Sequence, residues 1–340
     1  MSDARSAGSP SLITGATGFI GRHLVRALTA RGHPVSALVR DPARIDELPG
    51  ARCRKGDLTE PGCLVEATKG AAVVYHLAAV VPGKGSRSRQ WQVNCEGTRL
   101  LVRACIANGV GRLVFVSSVS VYAPPLAAIV DEGHPTGGAD TYGQSKAAAE
   151  REIAKAASTA LRCVILRPCQ VYGPGDTSGY TARLRSLLGS RYAVAAGACS
   201  RPFSLVHVDD VVGAIVAAGA VPLSHPCAIN VAGPSLTSLR MLAAAHRSIT
   251  GRAPKLVPMP AAAIRFASEL RWMSRTLAAD AARPHWKSYG PSCVHGSLLL
   301  GGPEYSLHRL RSELGFVPSV SVREGLANLL RDQAEPGVSE

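Results

Sequence analysis

Tyr142 and Lys146 stand four residues apart in DTYGQSKAAAE, a stretch that reads as the start of a helix. That spacing puts both side chains on one face, a turn apart. A phenol with a pKa near about 10 carries protons poorly at neutral pH, and a neighbouring ammonium favours its phenolate. The pair is suited to exchanging a proton with an oxygen whose carbon gains or loses a hydride. A tyrosine and a lysine at this spacing also meet on many helices with no chemistry to do, so the rest of the chain decides.

The rest of the chain supplies a place for a dinucleotide. SLITGATGFIGRHLVRALTARGHPVSALVRDP runs from a short apolar strand through a glycine turn into a helix and then a second strand. Gly15, Gly18 and Gly21 recur every three residues. Small residues there let the backbone approach a pyrophosphate, and the helix N-terminus offers N–H groups to its charge. Further strand candidates AAVVYHLAAV, RLVFVSSVSVY and RCVILRPCQVYG alternate with helix-like VNCEGTRLLVRACIANG and YGQSKAAAEREIAKAAS. This rhythm predicts an α/β fold, a Rossmann-type doubly wound parallel sheet with a smaller, mostly helical C-terminal substrate lobe. The expected division is a nucleotide-binding domain over 1–170, rejoined by 205–230, and a substrate-binding lobe from 171–204 and 231–335.

The end of the second strand bears on the cofactor. An acid there accepts from a ribose diol, whereas an arginine favours a 2′-phosphate. VSALVRD puts Val39 at the tip and Arg40 immediately beyond, with Arg44 downstream, which favours NADP(H). Asp41 becomes a diol acceptor if the strand runs one residue longer, so NAD(H) stays open. Asp57 in CRKGDLTE is either a partner for the adenine amino group or a turn or helix cap.

Composition bounds the class. A chain of 340 residues exceeds what one core needs. With 46% hydrophobic residues, 5% aromatic and 34 glycines, it is globular and helix-rich rather than disordered. Nine cysteines without C-x-x-C spacing speak for reduced, buried thiols in a cytoplasmic protein. MSDARSAGSP lacks the apolar core of a secretion signal. The most apolar run, LVHVDDVVGAIVAAGAV, contains Asp209 and Asp210, so no stable membrane insertion is expected. The ten histidines show no H-E-x-x-H or regular Cys/His spacing, so no metal is expected.

The formal charge of +14 is compatible with nucleic acid or an anionic surface. No zinc-finger spacing, recognition helix or aromatic RNA-binding motif accompanies it, so a small-molecule substrate and no nucleic acid is the expectation. Eight Lys or Arg lie between Met241 and Gly290 against only Glu269 and Asp280. Within AAAIRFASELRWMSRTLAADAARPHW, the stems of Arg265, Arg271 and Arg275 can cover apolar surface. A mobile helical cover over the substrate cleft is expected from this segment, with a membrane-surface helix as the alternative.

The ordered set TGATGFIG, GDLT, HLAA, SSVSVY, YGQSK, RPCQVYGPG, LVHVDD and LRSELGFVPSVSVREGL spans nearly the whole chain. It resembles the extended short-chain dehydrogenase/reductase superfamily, that is, the NAD-dependent epimerase/dehydratase family. The resemblance implies cofactor contacts from Gly15, Thr17, Gly18, Phe19, Ile20 and Gly21, an adenine side at Asp57 and Leu58, and a cofactor wall at Leu77, Ala78 and Ala79. It implies Tyr142 as catalytic acid/base and Lys146 as the residue that lowers its pKa and contacts the nicotinamide ribose. Ser118 matches the substrate-orienting hydroxyl, with Ser117 and Ser120 competing for the role. Asn94 resembles the helix asparagine that holds active-site backbone or water, an ordinary polar cap being the alternative. His76 reads as a wall or packing residue.

Sugar-nucleotide members usually place asparagine where Gln170 stands, and an arginine two residues nearer the V-D-D segment than Arg201. The pattern is closer to the branch of dihydroflavonol-type reductases and 3β-hydroxysteroid dehydrogenase-like proteins. A substrate pocket is expected from Pro82 to Arg89, Val171 to Ser204 and the segment from Pro234 onward, with Trp272 adding apolar surface. The implied function is alcohol/ketone oxidoreduction on an apolar or polycyclic substrate. The alternatives are a nucleotide-sugar epimerase or dehydratase that retains NAD, and a noncatalytic NADP(H)-binding sensor or structural protein. A homodimer is compatible with all three.

Overall fold

The computed structural model describes residues 9–82, 84–157, 161–176, 179–197, 199–221, 227–263 and 301–334. From β1 (Ser11–Thr14) the chain passes through the glycine turn into α1 (Phe19–Thr29), β2 (Val35–Val39), β3 (Arg52–Lys55), α2 (Pro61–Thr68) and β4 (Val73–His76). There follow α3 (Arg87–Trp91), a π-helical turn (Gln92–Gly97), α4 (Thr98–Ala107), β5 (Arg112–Val116), the short β6 (Ile129–Val130), α5 (Thr141–Ala156), β7 (Arg162–Pro168) and β8 (Gln170–Tyr172). The remainder holds α6 (Tyr180–Gly189), β9 (Tyr192–Ala196), β10 (Leu205–His207), α7 (Val208–Ala220), β11 (Cys227–Val231), α8 (Leu239–Thr250), β12 (Lys255–Met259) and β13 (Glu304–Tyr305), then helices at His308–Leu314 and Val322–Ala334.

Seven parallel strands form one sheet in the order β11-β7-β5-β4-β1-β2-β3. Successive side chains of a strand leave on opposite faces, so the near-continuous apolar runs feed two cores. Ile13, Val114, Val116, Val164 and Leu166 join the layer that contains Leu24, Val25 and Leu28 of α1. Leu12, Leu113, Phe115, Cys163 and Ile165 join the layer that contains Leu64 of α2, Leu101 of α4 and Ile153 of α5. This is the doubly wound arrangement the alternating pattern predicts. Strand order reverses between β1 and β4, which opens the crevice where such sheets take a ligand.

A third core lies away from the sheet and joins Tyr172, Tyr180, Leu184, Phe203, Leu205, Leu242, Leu326 and Leu329. Its helices, α6, α8 and Val322–Ala334, are accompanied by the strand pairs β8–β10 and β9–β12, so the segments expected to be mostly helical also contain small parallel sheets. Between these segments the chain returns to the large sheet, where β11 pairs with β7. Asp210 in the first turn of α7 accepts from the backbone N–H groups of Ser319 and Val320 at 2.9 and 3.1 Å, which ties the C-terminal segment to that helix.

No helix among the described residues is long and apolar enough to cross a membrane. Of the expected cover, the part from 264 onward, including Arg265, Arg271, Trp272 and Arg275, lies outside the described residues.

Candidate active site

The glycine-rich loop is shaped for close approach. Gly15 has φ +73°, and a Cβ there would lie 2.5 Å from the backbone nitrogen of Ala78. At Gly21 a Cβ would lie 2.1 Å from the carbonyl oxygen of Gly15. These two positions press the loop against Leu77 and Ala78 at the exit of β4 and against its own helix. Helix α1 then begins after Gly18, with the first turn-closing bond from Arg22 N to Gly18 O at 3.0 Å. The N–H groups of Phe19, Ile20 and Gly21 therefore have no partner within the helix and face the crevice end. A cradle that any Cβ would fill, at a helix N-terminus, fits a dinucleotide pyrophosphate. Thr17 lies in the same loop, and Ala79 follows directly on the wall formed by Leu77 and Ala78.

Across the loop, β2 stops at Val39 and leaves Arg40 exposed immediately beyond it. Arg40 makes no hydrogen bond or ion pair among the described residues. Asp41 caps the 3-10 turn Pro42–Glu47 by accepting from Ala43 N at 3.0 Å. Asp57 divides its oxygens. One accepts from Thr59 N at 2.9 Å and Thr59 Oγ1 at 2.8 Å, which is the turn-capping arrangement, and the other faces Arg89 Nη2 at 3.3 Å. Burial pushes the Asp57 carboxyl up, but the Thr59 bonds and the charges of Arg89 and Arg40 outweigh it, leaving the pKa below the ordinary value. Leu58 beside it is buried in the core under α4.

On the other side of the crevice, Asp140 caps α5 by accepting from Gly143 N at 2.8 Å, which places Tyr142 in the first turn. A Cβ on Gly143 would lie 2.1 Å from Ser120 O, so that glycine lets the helix start abut the loop after β5. The Ser118 hydroxyl lies close enough to the Tyr142 phenol to lower its pKa, and Ser118 Oγ donates to Ser120 Oγ at 3.1 Å. Ser117 instead turns inward, its hydroxyl buried without a partner. Burial, then the charge of Asp140, push the Tyr142 phenol up to about 12, and the nearby Ser118 hydroxyl partly offsets them.

Lys146 is fully buried, donates to Val116 O at 2.7 Å and lies 4.2 Å from the centroid of the Phe115 ring. Burial drives its pKa from 10.5 down to about 7, with Glu150 opposing. The ammonium is thus held against β5 and is not among the groups that shift Tyr142.

Asn94 sits in the π-helical turn, a departure from α-geometry that recurs at functional positions. It is no helix cap. Its Oδ1 accepts from Val80 N at 2.7 Å, and its Nδ2 donates to Val80 O at 3.0 Å and to Ser145 Oγ at 3.0 Å. Asn94 thereby ties the backbone after β4 to the helix that carries Tyr142 and Lys146.

Two networks escaped the sequence reading. His76 is fully buried between Thr14 Oγ1 at 2.7 Å and Thr98 Oγ1 at 2.8 Å, and burial, with Lys146 adding to it, lowers its pKa to about 3. Thr98 Oγ1 donates its own hydrogen bond to Asn94 O at 2.6 Å, so neutral His76 donates from Nε2 and accepts at Nδ1. The glycine loop and the π-helical turn are connected through this histidine. The second network pairs Glu150 with Arg167 at 2.6 and 3.0 Å, both buried, one turn beyond Lys146. The spacing Tyr142, Lys146, Glu150 was a legible signal for it, because all three share one helical face.

The burial of Lys146 yields a stability expectation. Between pH 7 and 10.5 the unfolded chain carries the proton at this position and the folded chain does not, so parental stability rises with pH across that window. Below pH 7 the full cost of the buried charge remains. Lys146→Met should raise the melting temperature of the cofactor-free protein by about 2–5 °C at pH 6. That gain should shrink as pH approaches 10; thermal scans across this range check it, and a lower melting temperature at pH 6 would contradict it.

Gln170 is buried at the start of β8, and Arg201 is exposed beyond β9. The eight described cysteines are free. No three His, Cys, Asp or Glu side chains gather as a metal site among the described residues.

The fold agrees with the comparisons to known proteins. The model of the NAD dependent epimerase/dehydratase family matches residues 11–232. A 2-alkyl-3-oxoalkanoate reductase of Stenotrophomonas maltophilia is 28% identical, covering 95% of this chain and 99% of that protein. A ceramide reductase of Caulobacter vibrioides is 33% identical over 78% of each chain. The solved structure of MoeE5 in complex with UDP-glucose and NAD is 28% identical, with a TM-score of 0.73 over 96% of this chain and 98% of that one. The chain belongs to the NAD-dependent epimerase/dehydratase family of the extended short-chain dehydrogenase/reductase superfamily and is an NAD(P)-dependent oxidoreductase.

Proposed function

We propose that this enzyme interconverts a ketone and a secondary alcohol on an apolar substrate and releases its cofactor after each turnover. The observation that carries the reading is the Ser118 hydroxyl beside the Tyr142 phenol, at the mouth of the same crevice as the glycine cradle. When bound, the nicotinamide supplies or accepts the hydride. Ser118 and Tyr142 together hold the substrate oxygen. With its pKa raised to about 12, Tyr142 stays protonated at neutral pH and can deliver its proton as negative charge develops on that oxygen. Ser118 would stabilise the phenolate left behind, and Lys146, one turn along, would hold the nicotinamide ribose. Asn94 positions Lys146 and Tyr142 through Ser145 without touching the reacting atoms.

The apolar substrate is supported by the reductase relatives, by Gln170 in place of an asparagine and by the position of Arg201. The likeness to MoeE5 with UDP-glucose favours the second reading, nucleotide-sugar epimerisation with retained NAD. Both are tested by following nicotinamide absorbance with a panel of long-chain 3-oxo compounds and steroid ketones, alongside product analysis for nucleotide sugars. Net NADPH or NADH consumption with the ketones is expected. Efficient epimerisation with no absorbance change would reverse the order.

NADP(H) is the proposed preferred cofactor, because Arg40 stands unpaired at the end of β2. A charge-assisted contact to a 2′-phosphate is worth about 1.5–3 kcal/mol. Arg40→Ala should therefore remove most of the difference between NADP(H) and NAD(H), as read by titrating both cofactors. Equal affinities in the parent protein would contradict this role for Arg40.

A further inference from the structure

The mouth of the glycine loop carries a closed set of charges. Arg44 donates to Glu47 from Nε at 2.6 Å and from Nη2 at 2.9 Å, and its Nη2 also donates to Thr17 O at 2.9 Å. Arg22 donates from Nη1 to Glu47 at 3.0 Å and to Thr17 O at 3.3 Å, and from Nη2 to Gly175 O at 2.9 Å. One carboxylate thus holds two guanidiniums against the backbone of the loop. Arg44 and Glu47 remain 42% and 34% exposed, so an incoming anion can reach them.

We propose that Glu47 sets the dinucleotide selectivity of this enzyme, because its carboxylate occupies the fork of Arg44 that an adenosine 2′-phosphate would otherwise take. The inference rests on the reading of Arg40 as a phosphate ligand. Carboxylate and phosphate compete for the same planar pair of N–H groups, so Arg44 is spent on Glu47 while Arg40 is not. The negative charge of Glu47 also repels a phosphate that carries close to two charges of its own. Removing that charge acts in one direction through both effects, and Thr17 O keeps the Arg44 guanidinium at the loop. Arg44 itself cannot leave its acid by losing its proton, because the Glu47 bond, foremost among its neighbours, raises its pKa further.

The test titrates NADP+ and NAD+ separately into the parent, Glu47→Gln, Arg44→Met and the double variant. Glu47→Gln should tighten NADP+ by about tenfold, the scale of one charge-assisted hydrogen bond, and leave NAD+ within about twofold. Arg44→Met should change NADP+ affinity by less than about twofold in the parent and abolish the gain in the Glu47→Gln background. Unchanged NAD+ binding serves as the control for an intact fold. NADP+ affinity that stays level or falls in Glu47→Gln would overturn the proposal. If that variant does not fold, Arg44→Met decides alone: a tenfold loss of NADP+ affinity would show that Arg44 already reaches the phosphate. Equal parental affinities for the two cofactors would sink the Arg40 reading only, since the Glu47 effect is read as a change in their ratio.

Discussion

Tyr142→Phe is expected to bind cofactor like the parent and to lose hydride transfer by about 10²–10⁴. The ring stays in place because Asp140 caps its helix and Gly143 seats that helix against Ser120, neither of which involves the hydroxyl. What disappears is the proton donor beside Ser118. Single-turnover kinetics at saturating cofactor isolate the step, and cofactor titration with a thermal scan establishes that the variant is folded and loaded. A near-parental rate would move the proton to another group. The parental rate should hold across neutral pH, because a phenol raised to about 12 remains protonated there.

Gly15→Ala should weaken cofactor binding by at least about a hundredfold, equivalent to about 2.7 kcal/mol. The residue occupies a left-handed conformation that alanine adopts only at a cost of about 1–2 kcal/mol. Its new methyl carbon would also overlap Ala78 N at 2.5 Å, which is backbone and cannot rotate away. Relief requires the loop to lift from the exit of β4, and that movement carries the N-terminus of α1 away from the pyrophosphate. Fluorescence titration of reduced cofactor measures the loss. Gly32→Ala is the control, since its Cβ meets nothing within 4 Å although its φ is +73°. Comparable cofactor affinity in the two variants would contradict the close-approach role of Gly15.

The central sheet was legible because its strands are buried on both faces and write that condition as short apolar runs between helical stretches. The glycine cradle and the Tyr142–Lys146 pair were legible because their spacing is local. Ser118 could not be separated from Ser117 and Ser120 by alternation alone, because the strand ends at Val116 and the chain turns. What alternation missed is which hydroxyl the turn directs at Tyr142. The direction of Lys146 was also not legible: the ammonium rests on Val116 O and the Phe115 ring, partners that only the packing of α5 on β5 brings together. Glu47 and Arg22 were missed for the same reason, since they meet 25 residues apart through the backbone of Thr17.

The most direct test of the proposed chemistry is the fate of a deuterium label. NADPH deuterated on the transferred face at C4 is mixed with the Tyr142-intact enzyme and a ketone that the absorbance panel identifies, and the isolated product is analysed by mass spectrometry and NMR. One deuterium on the carbinol carbon for each cofactor oxidised is the expected result. An enzyme that leaves such ketones unlabelled, and instead inverts a nucleotide sugar while its nicotinamide cofactor returns to its starting redox state, would contradict the account.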